Sequence, residues 1–109
     1  MKFNMTIKEA CKKVIIQNES QGYHPEIFIF QTKRCEATDL DYRLSNLVKS
    51  QTAIDAVGDA IRKYGKILTI EDLIVEDMEG FGLSEDIRNK AEENVKGYDW
   101  LRKNFNNLR

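Results

Sequence analysis

The chain has 109 residues, of which 41% are hydrophobic and 32% charged; that balance fits one globular domain and excludes a disordered chain. With 17 basic and 18 acidic side chains the formal net charge is -1, which excludes a strong overall attraction to DNA or RNA. No apolar run approaches the ~18 residues of a membrane span, and a cleft of about 300–1,000 Å³ is hard to house in one copy of so small a domain.

The first helix is announced by Thr6 and Glu9, which have the spacing of a capping box. Ile7, Ala10, Cys11, Val14 and Ile15 follow at i, i+3, i+4, i+7 and i+8, one apolar face. Cys11 lies inside that stripe and reads as a small buried hydrophobe. Lys8, Lys12 and Lys13 face away, and Gly22 is a natural stop.

Pro25 suits a first helical position, where its missing N–H costs nothing. Ile27 to Phe30 is a run of four apolar residues that a buried strand could also use. A lone strand needs a partner, and the chain offers no second candidate, so helix is expected from about Pro25 to Lys33. Phe28 and Phe30 fall on different faces of that helix, an apolar surplus that suggests burial against a second copy or a central position in the bundle.

Glu36 to Asp41 reads as a polar connection. Thr38 or Asp39 is expected to cap a short helix carrying Leu40, Leu44, Leu47 and Val48. Ser50 caps the next, whose stripe is Ala53, Ile54, Val57, Ala60, Ile61 and Tyr64, with Gly65 as its C-terminal turn. Gly58 lies inside it, at a cost of about 1 kcal/mol relative to alanine. Thr69 and Asp72 repeat the capping-box spacing before Leu73, Ile74 and Met78. Gly80–Phe81–Gly82 is expected to turn with its aromatic inward. Ser84 caps the last helix, with Glu85 and Asp86 at its positive end. Its face runs through Ile87, Ala91, Asn94 or Val95, Tyr98 and Leu101, with Trp100 and Phe105 beyond and frayed ends expected at 1–5 and 104–109. The fold class is all-α: one domain, a compact bundle of about five helices, several of them short.

Between Glu71 and Asp86 the sequence reads EDLIVEDMEGFGLSED, seven carboxylates with no basic residue. Residues 1–66 carry 11 basic and 8 acidic side chains, residues 67–109 carry 6 and 10. Such asymmetry can orient a domain against a partner.

Four stretches, GYHPEIFIF at 22–30, LSNLVKSQTA at 44–53, YGKILTIEDLIV at 64–75 and FGLSEDIRNKAEENV at 81–95, give the segment from about residue 22 to 98 a resemblance to a small all-helical domain of unknown function seen in bacterial proteins. The resemblance implies helix throughout, including Pro25 to Lys33. It implies no catalytic residue.

Chemistry is sparse. The single histidine, His24, precedes a proline, and no local motif joins it to Cys11 or Cys35 as a nucleophile–base pair. The same three residues are 13 and 11 positions apart, unlike the close cysteine pairs of zinc sites. Glu71, Asp72, Glu76, Asp77 and Glu79 do not follow the alternating ligands of a calcium loop. No catalytic residue, metal or cofactor is expected.

What remains is a non-enzymatic helical adaptor or regulatory module. Its protein-binding residues would be Glu71, Asp72, Glu76, Asp77, Glu79 and Trp100, its partner another protein or a second copy. The alternative is a nucleic-acid-binding accessory protein using Lys8, Lys12, Lys13, Lys33, Arg34, Arg62, Lys63 and Lys66; a small hydrolase is a remote third. The N-terminal MKFNMTIKEA lacks the apolar core of a signal peptide, so a cytoplasmic setting without membrane contact is expected, with both cysteines reduced.

Overall fold

The computed structural model describes residues 6–32, 37–77 and 80–104. The described residues form six α-helices and one short 3₁₀ turn: α1 (Ile7–Ser20), α2 (Glu26–Thr32), α3 (Ala37–Lys49), α4 (Gln51–Tyr64), α5 (Ile70–Glu76), the turn Gly80–Gly82, and α6 (Glu85–Lys103). Among the described residues there is no strand, so Ile27–Phe30 is helical and the fold is all-α.

The helix starts follow local chemistry. The Thr6 hydroxyl accepts from the Glu9 N–H at 3.2 Å while the Glu9 carboxylate accepts from the Thr6 N–H at 3.0 Å, a reciprocal cap that satisfies two orphan donors. Thr69 and Asp72 do the same for α5. Ser50 and Ser84 cap α4 and α6 through the N–H groups of Ala53 and Ile87. One start differs from expectation. Helix α3 begins at Ala37, so Thr38 and Asp39 lie in its first turn and do not cap it, and the polar stretch through Asp41 is helix. Polar composition alone does not separate a helix from a loop.

The end of α1 is a Schellman motif. Gly22 adopts a φ of 88°, the Gly22 N–H donates to Glu19 O, and the Tyr23 N–H donates to Asn18 O. Only a residue without Cβ takes that backbone cheaply. The turn reverses the chain and sets Tyr23 beside α4.

Helix α6 is the axis of the bundle and packs on α3, α4 and α5. Helix α1 lies on α5, and α2 on α3. The buried apolar residues fall into two clusters. The larger joins Val14, Phe28, Leu44, Val48, Ile70, Leu73, Ile74 and Ile87, with Ile7, Ile15 and Phe81 partly buried against it. The smaller holds Ala60, Ile61, Ile67 and Tyr98, with Tyr23, Val57, Tyr64 and Leu101 at its edge. Cys11 is buried in the larger cluster. A Cβ at Gly58 would meet Leu101 Cδ1 at 3.5 Å, ordinary van der Waals contact, so the glycine is not demanded by a close helix crossing.

Candidate functional site

The seam between the two clusters is a cavity of about 530 Å³. That volume falls within the range used by small-ligand sites, so a domain of this size does house such a space, hard as its length makes that. Sequence length bounds the buried surface but not how evenly helices of unequal length fill it.

Its walls are apolar: Val14 from α1, Phe28 from α2, Ala53 and Val57 from α4, and Ile70 from α5. Exposed side chains stand at its rim, His24, Glu26, Asp59 and Lys63, while Glu71 and Tyr98 lie buried in its lining. The space therefore runs from solvent to the interior.

Two devices hold the walls. Asn18 is buried on α1, where its Nδ2 donates to Leu68 O at 2.9 Å and its Oδ1 accepts the Leu68 N–H at 3.1 Å. This pair pins the strand-like link after α4 to α1 and satisfies both backbone groups of one residue. At the mouth, the Tyr23 and Tyr64 rings meet with centroids 5.5 Å apart and planes tilted by 35°. The Lys63 ammonium lies 5.3 Å from the centre of the Tyr64 ring, within cation–π range. Burial raises the Tyr23 hydroxyl above its ordinary value, with Tyr64 and Glu26 adding to the effect.

Glu71 is a buried carboxyl in the lining, 4% exposed. Its Oε2 accepts from Asn94 Nδ2 at 3.1 Å and from the Tyr98 hydroxyl at 3.2 Å. Asn94 Nδ2 also donates to Val48 O at 2.8 Å, so one amide joins α3, α5 and α6. Burial pushes the Glu71 carboxyl above the usual range, against the lowering effect of its own backbone N–H, Asn94 and Tyr98. The Tyr98 hydroxyl is raised as well, first by burial and then by Glu71.

Beside it, Asp72 is drawn into a different cluster. Arg102 Nη1 and Nη2 donate to Asp72 Oδ1 and Oδ2 at 3.1 and 2.7 Å, and Nη2 also donates to Ile67 O at 2.8 Å. The two side chains are 12% and 16% exposed. This two-pronged pair ties the last turns of α6 to the start of α5.

The expected acidic face is thus divided. Glu71 and Asp77 are buried, Asp72 is paired, and Glu76 is exposed. Glu79 lies outside the described residues. Glu85 is exposed, and Asp86 is 3.7 Å from Lys49. Glu71 and Asp72 are turned from that face by donors from α6, and no spacing within residues 71–86 reveals those donors.

Trp100 is 59% exposed and so stands outside the core, as do Phe30 at 78% and Tyr42 at 67%. Phe28, by contrast, is buried. Among the basic residues, Lys8, Lys12 and Lys13 are exposed on α1. Arg62 pairs with Asp59 at 3.1 Å, Lys63 covers Tyr64, and Lys66 is exposed. Lys33, Arg34, Cys35, Met78 and Phe105 lie outside the described residues. His24 Nδ1 is 2.7 Å from Glu19 Oε2. No group of three or more potential metal ligands gathers among the described residues. No described helix is long and apolar enough to cross a membrane.

Sequence reasoning missed Asn18, Asn94, Tyr98 and Arg102 as organisers of the site. A signal existed for the two asparagines. Asn18 follows Val14 by four, and Asn94 follows Ala91 by three, so both sit on the apolar stripe, where a polar residue must find a buried partner. Neither the scan of family models nor the searches of curated proteins and of solved structures returned a match.

Proposed function

We propose that this chain is a non-enzymatic helical binding module, set in the cytoplasm, whose recognition site is the seam cavity. The observation that carries the reading is the cavity itself: apolar walls from five helices, a polar rim, and a few buried polar groups at fixed positions. That combination is the general form of a small-ligand site. Support for a binding role over catalysis comes from how the nearby reactive groups are engaged. The Thr69 hydroxyl donates to Asp72 at 2.9 Å, Glu71 is held by Asn94 and Tyr98, and His24 contacts Glu19.

The test is titration with the neutral fluorophore prodan, whose emission shifts in an apolar site. Saturable one-to-one binding is expected for the native protein. Ala56 lines the cavity from α4, and Ala56→Trp should fill it and remove that binding while leaving the circular dichroism of the helices intact. Unaltered binding by the variant would place the probe elsewhere and refute the reading.

A second reading, a protein-binding adaptor, is favoured by the exposed Trp100, Phe30 and Tyr42, since aromatics are frequent interface anchors. Its charged component reduces to Glu76, Glu85 and Asp86. The partner would be another protein or a second copy, and Trp100→Ala would then weaken co-purification or self-association without disturbing prodan binding.

A further inference from the structure

Resting on the cavity reading, we propose that the ligand class is an amphipathic amine: an apolar body seated between the clusters, with a cationic ammonium directed to the Glu71 carboxylate.

The charges of the lining lean one way. Glu26, Asp59 and Glu71 face a single lysine, Lys63, with His24 at the rim. Asp59 is paired with Arg62, and His24 contacts Glu19. Glu71 is different in kind. Its neighbours Asn94 and Tyr98 are neutral donors, and the Arg102 guanidinium on the same helix as both is committed to Asp72, Asp99 and Ile67 O. Among the described residues no basic side chain acts on the buried carboxylate.

Acceptor capacity remains on that carboxylate. Asn94 and Tyr98 both donate to Oε2 and the backbone N–H of Glu71 also acts on the carboxyl, whereas a carboxylate accepts at about four lone-pair sites. Burial, which disfavours the charged form, holds the carboxyl above its ordinary range, and an ammonium beside it would favour the charged form by a charge-assisted hydrogen bond. Of the two tyrosine rings at the mouth, Tyr64 already has the Lys63 ammonium over it. An anionic ligand would find Lys63 at the rim but, among the described residues that line the cavity, no cation beside Glu71 in its depth.

The experiment is a calorimetric titration at neutral pH with three probes of one chain length: octylammonium, octanol and octanoate. Octylammonium is expected to bind about tenfold more tightly than octanol, with octanoate weakest. Glu71→Gln keeps the size and an acceptor but not the charge, and should bring octylammonium to the affinity of octanol while leaving octanol unchanged. Glu92→Gln, exposed on α6 and outside the cavity lining, should retain the preference. Equal affinities in the native protein overturn the amine assignment and leave the cavity reading standing. A preference that survives Glu71→Gln, or is lost in Glu92→Gln, also overturns it. Failure of all three probes to bind overturns the cavity reading and the inference together. Should Glu71→Gln not fold, the native head-group series with Glu92→Gln still decides.

Discussion

The Tyr98 hydroxyl donates to Glu71 Oε2 at 3.2 Å across 27 positions of sequence. This bond places the one fully buried carboxyl of α5 against the middle of α6, at the depth of the seam cavity. Tyr98→Phe removes a single donor and should cost about 1 kcal/mol. Glu71→Ala leaves the Tyr98 hydroxyl unpaired and opens space, so about 3 kcal/mol is expected. Urea denaturation of the two variants checks the order; an equal or reversed cost would show that the bond does not organise the interior.

The same carboxyl gives the fold a pH dependence. Its value in the folded chain lies above the ordinary 4.5 because burial disfavours the charged form. Over the window from about 4.5 up to that raised value, the folded state binds more protons than the unfolded state. Stability therefore falls as pH rises through the window. Glu71→Gln lacks the step, and the difference in denaturation midpoint between native protein and variant should move in the variant's favour with increasing pH. A difference that is constant with pH, or moves the other way, contradicts the burial.

Asn18 should be among the costliest polar residues to truncate. Asn18→Ala strands both the N–H and the carbonyl of Leu68, for about 2–4 kcal/mol. Asn18→Asp keeps the acceptor for the Leu68 N–H but sets a carboxylate oxygen against the Leu68 carbonyl, so it should not rescue. Thermal melts of the two variants provide the check.

Arg102→Lys tests the fork between α5 and α6. Lysine keeps the charge but cannot span Asp72 Oδ1, Asp72 Oδ2 and Ile67 O together. A loss of about 2 kcal/mol is expected, largely retained in high salt because both partners are shielded from solvent. Trp100→Ala, at an exposed position, should change stability by no more than about 0.5 kcal/mol.

Local chemistry was readable from the chain, tertiary chemistry was not. The capping boxes at Thr6/Glu9 and Thr69/Asp72, the serine caps at Ser50 and Ser84, and the glycine stops are decided within a few residues, and they mark the helices where spacing predicts them. Periodicity also separates Phe28 from Phe30, and Tyr98 from Trp100, by about 200° of helix rotation; the structure buries the first of each pair and exposes the second. The acidic run misleads. Glu71 and Asp72 are claimed by Asn94, Tyr98 and Arg102, donors 23 or more positions away, and nothing within 71–86 encodes them. The cavity is likewise a property of how two clusters fail to meet, which no single helix records.

The most direct measurement is a proton–nitrogen correlation spectrum of the native protein titrated with octanol. Saturating shifts are expected at residues lining the seam, Tyr23, Val57, Tyr64 and Glu71 among them, with Trp100 and Lys8 unmoved. Shifts confined to the Trp100 face, or none that saturate, would contradict a ligand-binding seam.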